Sequence, residues 1–301
     1  MGGLCRLFGV TKQAYYKRPV PGRGLSVAAV AEILEFCRAE RSLDPGMGCR
    51  KLWTIFIGEH WHVSRRTFED ILCGNGMSLR VSRRRTRTTD STHGLPLYPN
   101  LVYSALPERP CQIWVADITY IRLRNSDGST RFCYLSIVMD AYSRYILGYY
   151  VGRTLETVHS VIALNMALEN SRRLGLDIRG LIHHSDRGVQ YASEEYVNIL
   201  KGNGILISMT ENGNPKDNSR SERVNSTVKN ELLANLTFGC VADVAALLPS
   251  RIDYYNRRRP HMSLDNRTPE QALHFHGEIR KRWRSYRDEA IAKQKEAIET
   301  L

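Results

Sequence analysis

The sequence predicts an α/β protein in which a small all-helical region precedes one larger domain built on a mixed β-sheet. Two observations support this fold class. From residue 109 to 275, short apolar runs typical of strands alternate with segments whose apolar residues recur at helical spacing. From residue 1 to 80, only the helical spacing occurs. A chain of 301 residues can form two such parts.

Residues 1–80 have the outline of a helix-turn-helix DNA-binding region. Residues 4–18 resemble a helix, a turn and a helix, and SVAAVAEILEFCRAE has apolar residues at helical spacing. After a break at Pro45, two more helices are predicted, the second capped by Ser64. A second helix that opens on Arg65 and Arg66 would carry both arginines into a major groove. A helical packing domain with solvated arginines is the alternative.

Residues 81–108 are predicted to be a basic linker. Residues 82–100, SRRRTRTTDSTHGLPLYPN, are rich in Arg, Thr and Pro and have no apolar period. Arg83, Arg84 and Arg85 would suit contacts with DNA phosphates, whereas an exposed connector that binds nothing is the alternative.

Residues 109–275 begin with three predicted strands. IWVADITYIRL is apolar on both faces, so this strand should be central and covered on both sides. The turn at Asp127-Gly128 predicts an antiparallel hairpin with RFCYLSIVMD. YILGYYV is the third strand. A helix should then run from about Leu155 to Gly175, with Val158, Ile162 and Met166 on its apolar stripe.

The remaining segments complete the order of a known fold. LIHHSD and ILISMT are short strands separated by the helix SEEYVNILKGNG. The loop ENGNPKDN precedes a helix that runs to about Ala234. Pro249 should kink or split the helix that follows. Three antiparallel strands and then helix, strand, helix, strand, helix predict a ribonuclease-H-like α/β fold with a mixed five-stranded sheet. Residues 276–301 are predicted to form a charged helical tail.

The charge of the chain favours nucleic acid as a partner. There are 43 Lys and Arg against 31 Asp and Glu, giving a net charge of +12, and a basic excess of this size is typical of proteins that bind polyanions. No apolar run approaches the roughly 18 residues that a membrane helix needs. The seven cysteines are scattered without a C-x-x-C pair, which argues against zinc and disulfides and for a reducing cytosol.

Three acidic residues are placed where they could form one site. Asp117 lies inside an apolar strand, where an ionised carboxylate needs a partner or a metal. Asp186 ends the strand LIHHSD, at the edge of the sheet where ligands bind in α/β proteins. Glu222 lies on a helix face shared with Asn225 or Ser226 and with Lys229. Each residue alone has an ordinary structural alternative.

Together the three carboxylates fit metal-dependent phosphoryl transfer. Mg²⁺ and Mn²⁺ prefer oxygen ligands, and two such ions stabilise both the attacking and the leaving oxygen of a phosphodiester. Lys229 would hold the phosphate backbone beside the metal ions.

The motifs WVADITYIRL, HHSDRGVQY and GNPKDNSRSERVNSTVKNEL, followed by IDYYNRRRPHMSLDNRTPEQAL, resemble those of one family. They are similar to the catalytic core of insertion-sequence-three transposases of the OrfB type, within the retroviral-integrase superfamily. That family has 35 residues between its second acid and its glutamate, as between Asp186 and Glu222 here. The resemblance therefore places the family's DDE triad on Asp117, Asp186 and Glu222, and its basic residue on Lys229.

The resemblance implies DNA cleavage at the ends of an element, followed by strand transfer, with two Mg²⁺ or Mn²⁺ ions bound by the triad when DNA is present. It also implies a homo-oligomer on DNA, and a partner from an upstream reading frame that carries a helix-turn-helix. Arg187 and Asn218, which lie in the matching motifs, are further DNA-contact candidates. A nuclease of the same fold and a DNA-binding regulator without chemistry are the alternatives.

Overall fold

The computed structural model describes residues 24–79, 95–103, 105–211, 218–280, 282 and 289. The chain divides into two compact units. The described residues 24–42 and 47–79 belong to the smaller one, and residues 43–46 and those from 95 onward belong to the larger one. Residues 4–18, the arginines of the linker and most of the predicted tail lie outside the described residues.

The smaller unit is helical, as predicted. Its helices are α1 (Val27–Leu43), α2 (Cys49–Glu59) and α3 (Arg65–Gly74). The predicted cap of α3 is confirmed, because the Ser64 side chain accepts a hydrogen bond from the Thr67 amide at 3.1 Å. Phe56 and Phe68 are fully buried, and their ring centroids lie 5.6 Å apart. These aromatic rings contribute to the apolar core of the unit.

The larger unit is built on a five-stranded mixed sheet in the order β3-β2-β1-β4-β5. Strand β1 is central, as its apolar sequence predicts, and pairs antiparallel with β2 and parallel with β4. The predicted hairpin between β1 and β2 is confirmed. The five strands are β1 (Ile113–Arg124), β2 (Thr130–Asp140), β3 (Ile146–Gly152), β4 (Ile182–Ser185) and β5 (Leu206–Met209).

Helices pack against the sheet and contribute to its apolar core. This core joins Trp114 and Ala116 of β1 to the helices that follow β3 and β4, and the helix that carries Glu222 packs on β1. In chain order the helical elements are α4 (Thr157–Arg173), α5 (Val189–Ala192), α6 (Glu194–Gly202), α7 (Ser219–Thr227), a π-helical turn (Val228–Leu232), α8 (Val241–Arg257), a 3-10 turn (Met262–Leu264) and α9 (Pro269–Leu273).

Two local expectations are wrong. In α4 two residues of the predicted stripe face outward, since Val158 is 42% and Ile162 38% exposed; Met166 is half-buried, and Val161 and Leu164 are buried. This helix has apolar residues on more than one face, so periodicity alone selects the wrong side. Pro249 lies inside α8, which is one continuous helix, so the predicted split of this helix is wrong. The buried Leu248 and Ile252 hold this helix in place despite the missing amide hydrogen bond.

Candidate active site

Asp117 lies in the middle of the sheet, on β1, and is held by two hydrogen bonds. Its Oδ1 accepts from the Ile118 amide at 2.9 Å, and its Oδ2 accepts from the Asn225 side-chain amide at 2.8 Å. Asn225 is buried in α7. Sequence periodicity places Asn225 on the Glu222 face but does not reveal that it orients the aspartate.

Asp186 directly follows β4, the strand that runs parallel to β1. Its Oδ1 accepts a hydrogen bond from the Gly188 amide at 3.0 Å. A Cβ atom at Gly188 would lie only 3.0 Å from that oxygen, so a larger residue would have to displace the carboxylate by a few tenths of an ångström. Arg187 donates from Nε to the Thr210 carbonyl at 2.7 Å, which links the loop to the end of β5.

Helix α7 supplies Glu222 in its first turn, and the π-helical turn supplies Lys229. Both side chains are exposed, whereas Val224 and Val228 are buried, as the predicted separation of polar and apolar faces requires. Asn218, at the start of α7, is buried and donates to the Ala116 carbonyl at 3.3 Å. This bond fixes the helix against β1, next to Asp117, so Asn218 has a structural contact in addition to its predicted DNA contact.

The three carboxylates lie close enough to affect one another electrostatically. Burial raises the pKa of Asp117 to about 8, with further contributions from Asp186 and Glu222, while the hydrogen bonds from Ile118 and Asn225 oppose the increase. Partial burial also raises the pKa of Glu222 and lowers that of Lys229, and the latter effect is opposed by Asp117. A bound cation would favour the ionised form of Asp117 and so offset this increase.

The donor set fits an open metal site. Within the described part of the chain, no group of three or more acidic, histidine or cysteine side chains is already arranged to hold a metal ion, and this includes the three carboxylates. Mg²⁺ is usually held by one or two carboxylates, water and substrate phosphates. Asp117, inside β1, and Asp186, directly after the parallel strand β4, supply the oxygen chemistry that such a site needs.

A buried tyrosine that the sequence does not single out lies beside this group. The Tyr191 hydroxyl has no hydrogen-bond partner among the described residues. Burial raises the pKa of Tyr191, as do Tyr196, Asp117 and Asp186. By contrast, the Tyr196 hydroxyl bonds to His183 Nε2 at 2.9 Å. His183 and His184 are both buried and packed, and His184 Nδ1 lies 2.9 Å from the Ser208 hydroxyl.

The other predicted DNA contacts lie in the smaller unit or outside the described residues. Arg65 and Arg66 are exposed at the start of α3, where Arg65 also forms an ion pair with Glu69 at 3.4 Å. Arg83, Arg84 and Arg85 are not among the described residues. Contact of these arginines with DNA stays a prediction.

Comparison with known proteins defines the class of the larger unit. Residues 107–215 match the model of the integrase core domain, and residues 203–269 match a second model of the same description. The HTLV-2 integrase catalytic core domain is 18% identical, with a TM-score of 0.40, and covers 55% of this chain and 98% of its own. The larger unit is an integrase core domain of ribonuclease-H-like fold.

Whole-chain relatives identify the family. The insertion element IS600 31 kDa protein of Shigella sonnei is 31% identical over 88% of this chain and 96% of its own length. The transposase of insertion sequence IS629 from the same organism is 30% identical, over 75% of this chain and 73% of its own. Transposase InsF for insertion sequence IS3A of Escherichia coli is 32% identical, over 65% of this chain and 66% of its own. The chain belongs to the insertion-sequence-three family of transposases, which act in DNA transposition. Among the described residues, no helix has the length and apolar character required to cross a membrane.

Proposed function

We propose that this transposase cuts DNA at the ends of its element and joins the freed ends to target DNA, using Asp117, Asp186 and Glu222 as metal ligands. One observation carries the proposal most strongly. Asp186 and Glu222 both contribute to the raised pKa of Asp117, and a group of carboxylates that repel one another is a preferred environment for a hard divalent cation.

Two Mg²⁺ or Mn²⁺ ions, bound together with DNA, would activate the attacking oxygen and stabilise the leaving oxygen of the phosphodiester. The residues of the chain have the supporting roles. Asn225 holds Oδ2 of Asp117, and the Gly188 amide holds Oδ1 of Asp186, so both carboxylates keep one orientation. Lys229, exposed on the π-helical turn, would bind a phosphate next to the reacting one.

Paired element ends require more than one active site, so we propose that the chain assembles as a homo-oligomer on DNA. Recognition of the terminal repeats would be carried by Arg65 and Arg66 of α3 and by the linker arginines, or by a helix-turn-helix protein from an upstream reading frame. Omitting that protein from a binding assay with element ends distinguishes these two sources.

The reaction products separate this proposal from its alternatives. A labelled element end is incubated with the full chain, target DNA and Mg²⁺. Joined product supports a transposase, nicked product without joining supports a nuclease, and binding without either product supports a regulator.

The triad assignment is tested by Asp117→Asn, Asp186→Asn and Glu222→Gln. Losing a metal ligand removes several kcal/mol of transition-state stabilisation, so each variant should cleave at least ~10³-fold more slowly while it still binds DNA. Glu195→Gln, which neutralises an exposed carboxylate on α6, is the matched control and should retain activity. Near-normal cleavage by any triad variant would remove that residue from the assignment.

A further inference from the structure

The far end of the β1–β2 hairpin presents a mixed arginine and aromatic surface that lies outside the triad. Side chains of directly paired residues in antiparallel strands point to the same side of the sheet, and alternate residues along a strand share a side. We call this surface the hairpin face. It consists of three cross-strand pairs: Tyr120 with Tyr134, Arg122 with Phe132, and Arg124 with Thr130.

The hairpin face is accessible and basic. Arg122, Arg124 and Thr130 are exposed, and Phe132 is 40% exposed. Neither arginine forms an ion pair with any described residue. The face has no acidic side chain, and the carboxylate on the adjoining turn, Asp127, accepts hydrogen bonds from Ser129 instead.

A cleft of about 410 Å³ opens beside the two arginines and is lined by Arg122, Arg124, Gly128, Thr130, Leu236 and Thr237. The segment that contains Leu236 and Thr237 is joined to the hairpin by hydrogen bonds to its backbone carbonyls. The Arg124 amide donates to the Phe238 carbonyl at 2.8 Å, and Arg131 Nη2 donates to the Gly239 carbonyl at 3.1 Å. Two guanidinium groups and two threonine hydroxyls therefore border a cleft that is already formed.

The aromatic part of the face is also ordered by contacts within the hairpin. The Tyr120 ring meets the Tyr134 ring edge-on, with centroids 5.0 Å apart, and the Phe132 ring at 6.1 Å. Arginine and hydroxyl groups bind phosphates, whereas aromatic rings provide stacking contacts for sugars and bases. A protein with a net charge of +12 offers this combination to a polyanion.

We propose that the hairpin face binds the backbone of DNA at a distance from the reacting phosphate. Arg124 lies seven residues beyond Asp117 on β1, which corresponds to about 24 Å along a strand, and even-numbered β1 residues face away from Asp117. About seven base pairs span 24 Å, and because the hairpin face lies on the opposite side of the sheet from Asp117, the path of the DNA between them is longer than this. This inference rests on the proposed function, since it takes DNA as the substrate.

The test compares Arg122→Gln/Arg124→Gln with Arg172→Gln/Arg173→Gln in the full-length chain, with fluorescence anisotropy on labelled duplex. The control pair is also exposed and removes the same charge from the last turn of α4. The hairpin variant should bind about tenfold more weakly at 0.1 M salt, and its plot of log affinity against log salt should be shallower by about 1.8. Arg122→Lys/Arg124→Lys should restore most of the affinity and most of the salt dependence. Thermal melting checks that each variant is folded.

Duplex length separates this contact from a general effect of charge. The defect should appear on duplexes that extend well beyond seven base pairs from the cleavage position and disappear on shorter ones. Equal defects in both arginine pairs, or a defect independent of length, would overturn the proposal. So would a change in oligomeric state without a change in DNA affinity, because the face would then bind another copy of the chain. Failure of the wild type to cleave or join DNA would instead contradict the proposed function.

Discussion

Two groups of charged residues in the larger unit differ in how their charges are balanced. In the arginine cluster, Arg259 is 2% exposed, and its Nε lies 3.2 Å from Asp44 Oδ2 while its Nη2 pairs with Glu231. Burial would lower the pKa of Arg259, but Glu231 and Asp44 raise it. In the triad, burial raises the pKa of Asp117 to about 8, and Asp186 and Glu222 add to the increase. The first group is compensated within the chain, whereas we propose that a divalent cation compensates the second.

One short element connects the two groups. The π-helical turn carries Lys229 toward the triad and Glu231 toward Arg259. Gly46 donates its amide to the Glu231 carbonyl at 2.9 Å, and a Cβ atom at Gly46 would lie 2.4 Å from Glu231 Cα. The compensated cluster thus holds the turn in place, and the turn positions a residue of the uncompensated site.

Among the substitutions that test this difference, Arg259→Met is expected to change the unfolding free energy most. The substitution would leave Asp44 and Glu231 without their cation, and breaking a buried ion pair from one side costs about 3–5 kcal/mol. Urea unfolding of the metal-free protein measures this loss. Arg257→Met is the matched control, because Arg257 also has two acidic partners, Asp253 at 3.1 Å and Glu270 at 3.4 Å, but is exposed.

Exposed ion pairs contribute at most about 1 kcal/mol, so the control should change the unfolding free energy only slightly. Similar losses for Arg257→Met and Arg259→Met would mean that burial does not distinguish the two arginines and that the cluster is not a rigid support.

Asp117→Asn is expected to increase the unfolding free energy of the metal-free protein, the opposite of the effect of Arg259→Met. A carboxyl whose pKa is raised in the folded state binds a proton more tightly there than in the unfolded chain. Its ionisation therefore costs stability increasingly as the pH rises from about 4 to about 8. Without metal, the variant should be more stable than the wild type, by on the order of 1 kcal/mol at pH 8 and by little at pH 4.

Mg²⁺ should cancel this advantage, because it binds the wild-type carboxylates and stabilises the folded state. The measurement is the difference between the two unfolding curves at each pH, since burial also raises the pKa of Asp140 in both proteins. A variant that is less stable than the wild type at pH 8, with or without Mg²⁺, would contradict a repulsive triad.

For both groups, the sequence predicts the local strand or helix face better than it predicts which residues contact one another. The strand that carries Asp117 is recognisable because its apolar run is local, and Val224 and Val228 fix the packing face of α7 through periodicity. The arginine cluster is not predictable in this way, since residues 44, 231 and 259 meet only through tertiary packing. For the same reason the bond from Asn225 to Asp117 has no signal in the local pattern.

The smallest effect concerns two buried tyrosines whose rings lie 5.4 Å apart. The Tyr196 hydroxyl bonds to His183, whereas the Tyr191 hydroxyl, beside the acidic group, has no hydrogen-bond partner among the described residues. Tyr196→Phe should lose about 1 kcal/mol because it leaves a buried imidazole nitrogen unpaired, and Tyr191→Phe should be neutral or slightly stabilising. Both substitutions keep the ring, so each serves as the packing control for the other in urea unfolding of the metal-free protein. A larger loss for Tyr191→Phe would show that the Tyr191 hydroxyl already has a hydrogen-bond partner. The difference between the arginine cluster and the active site would then concern the carboxylates alone.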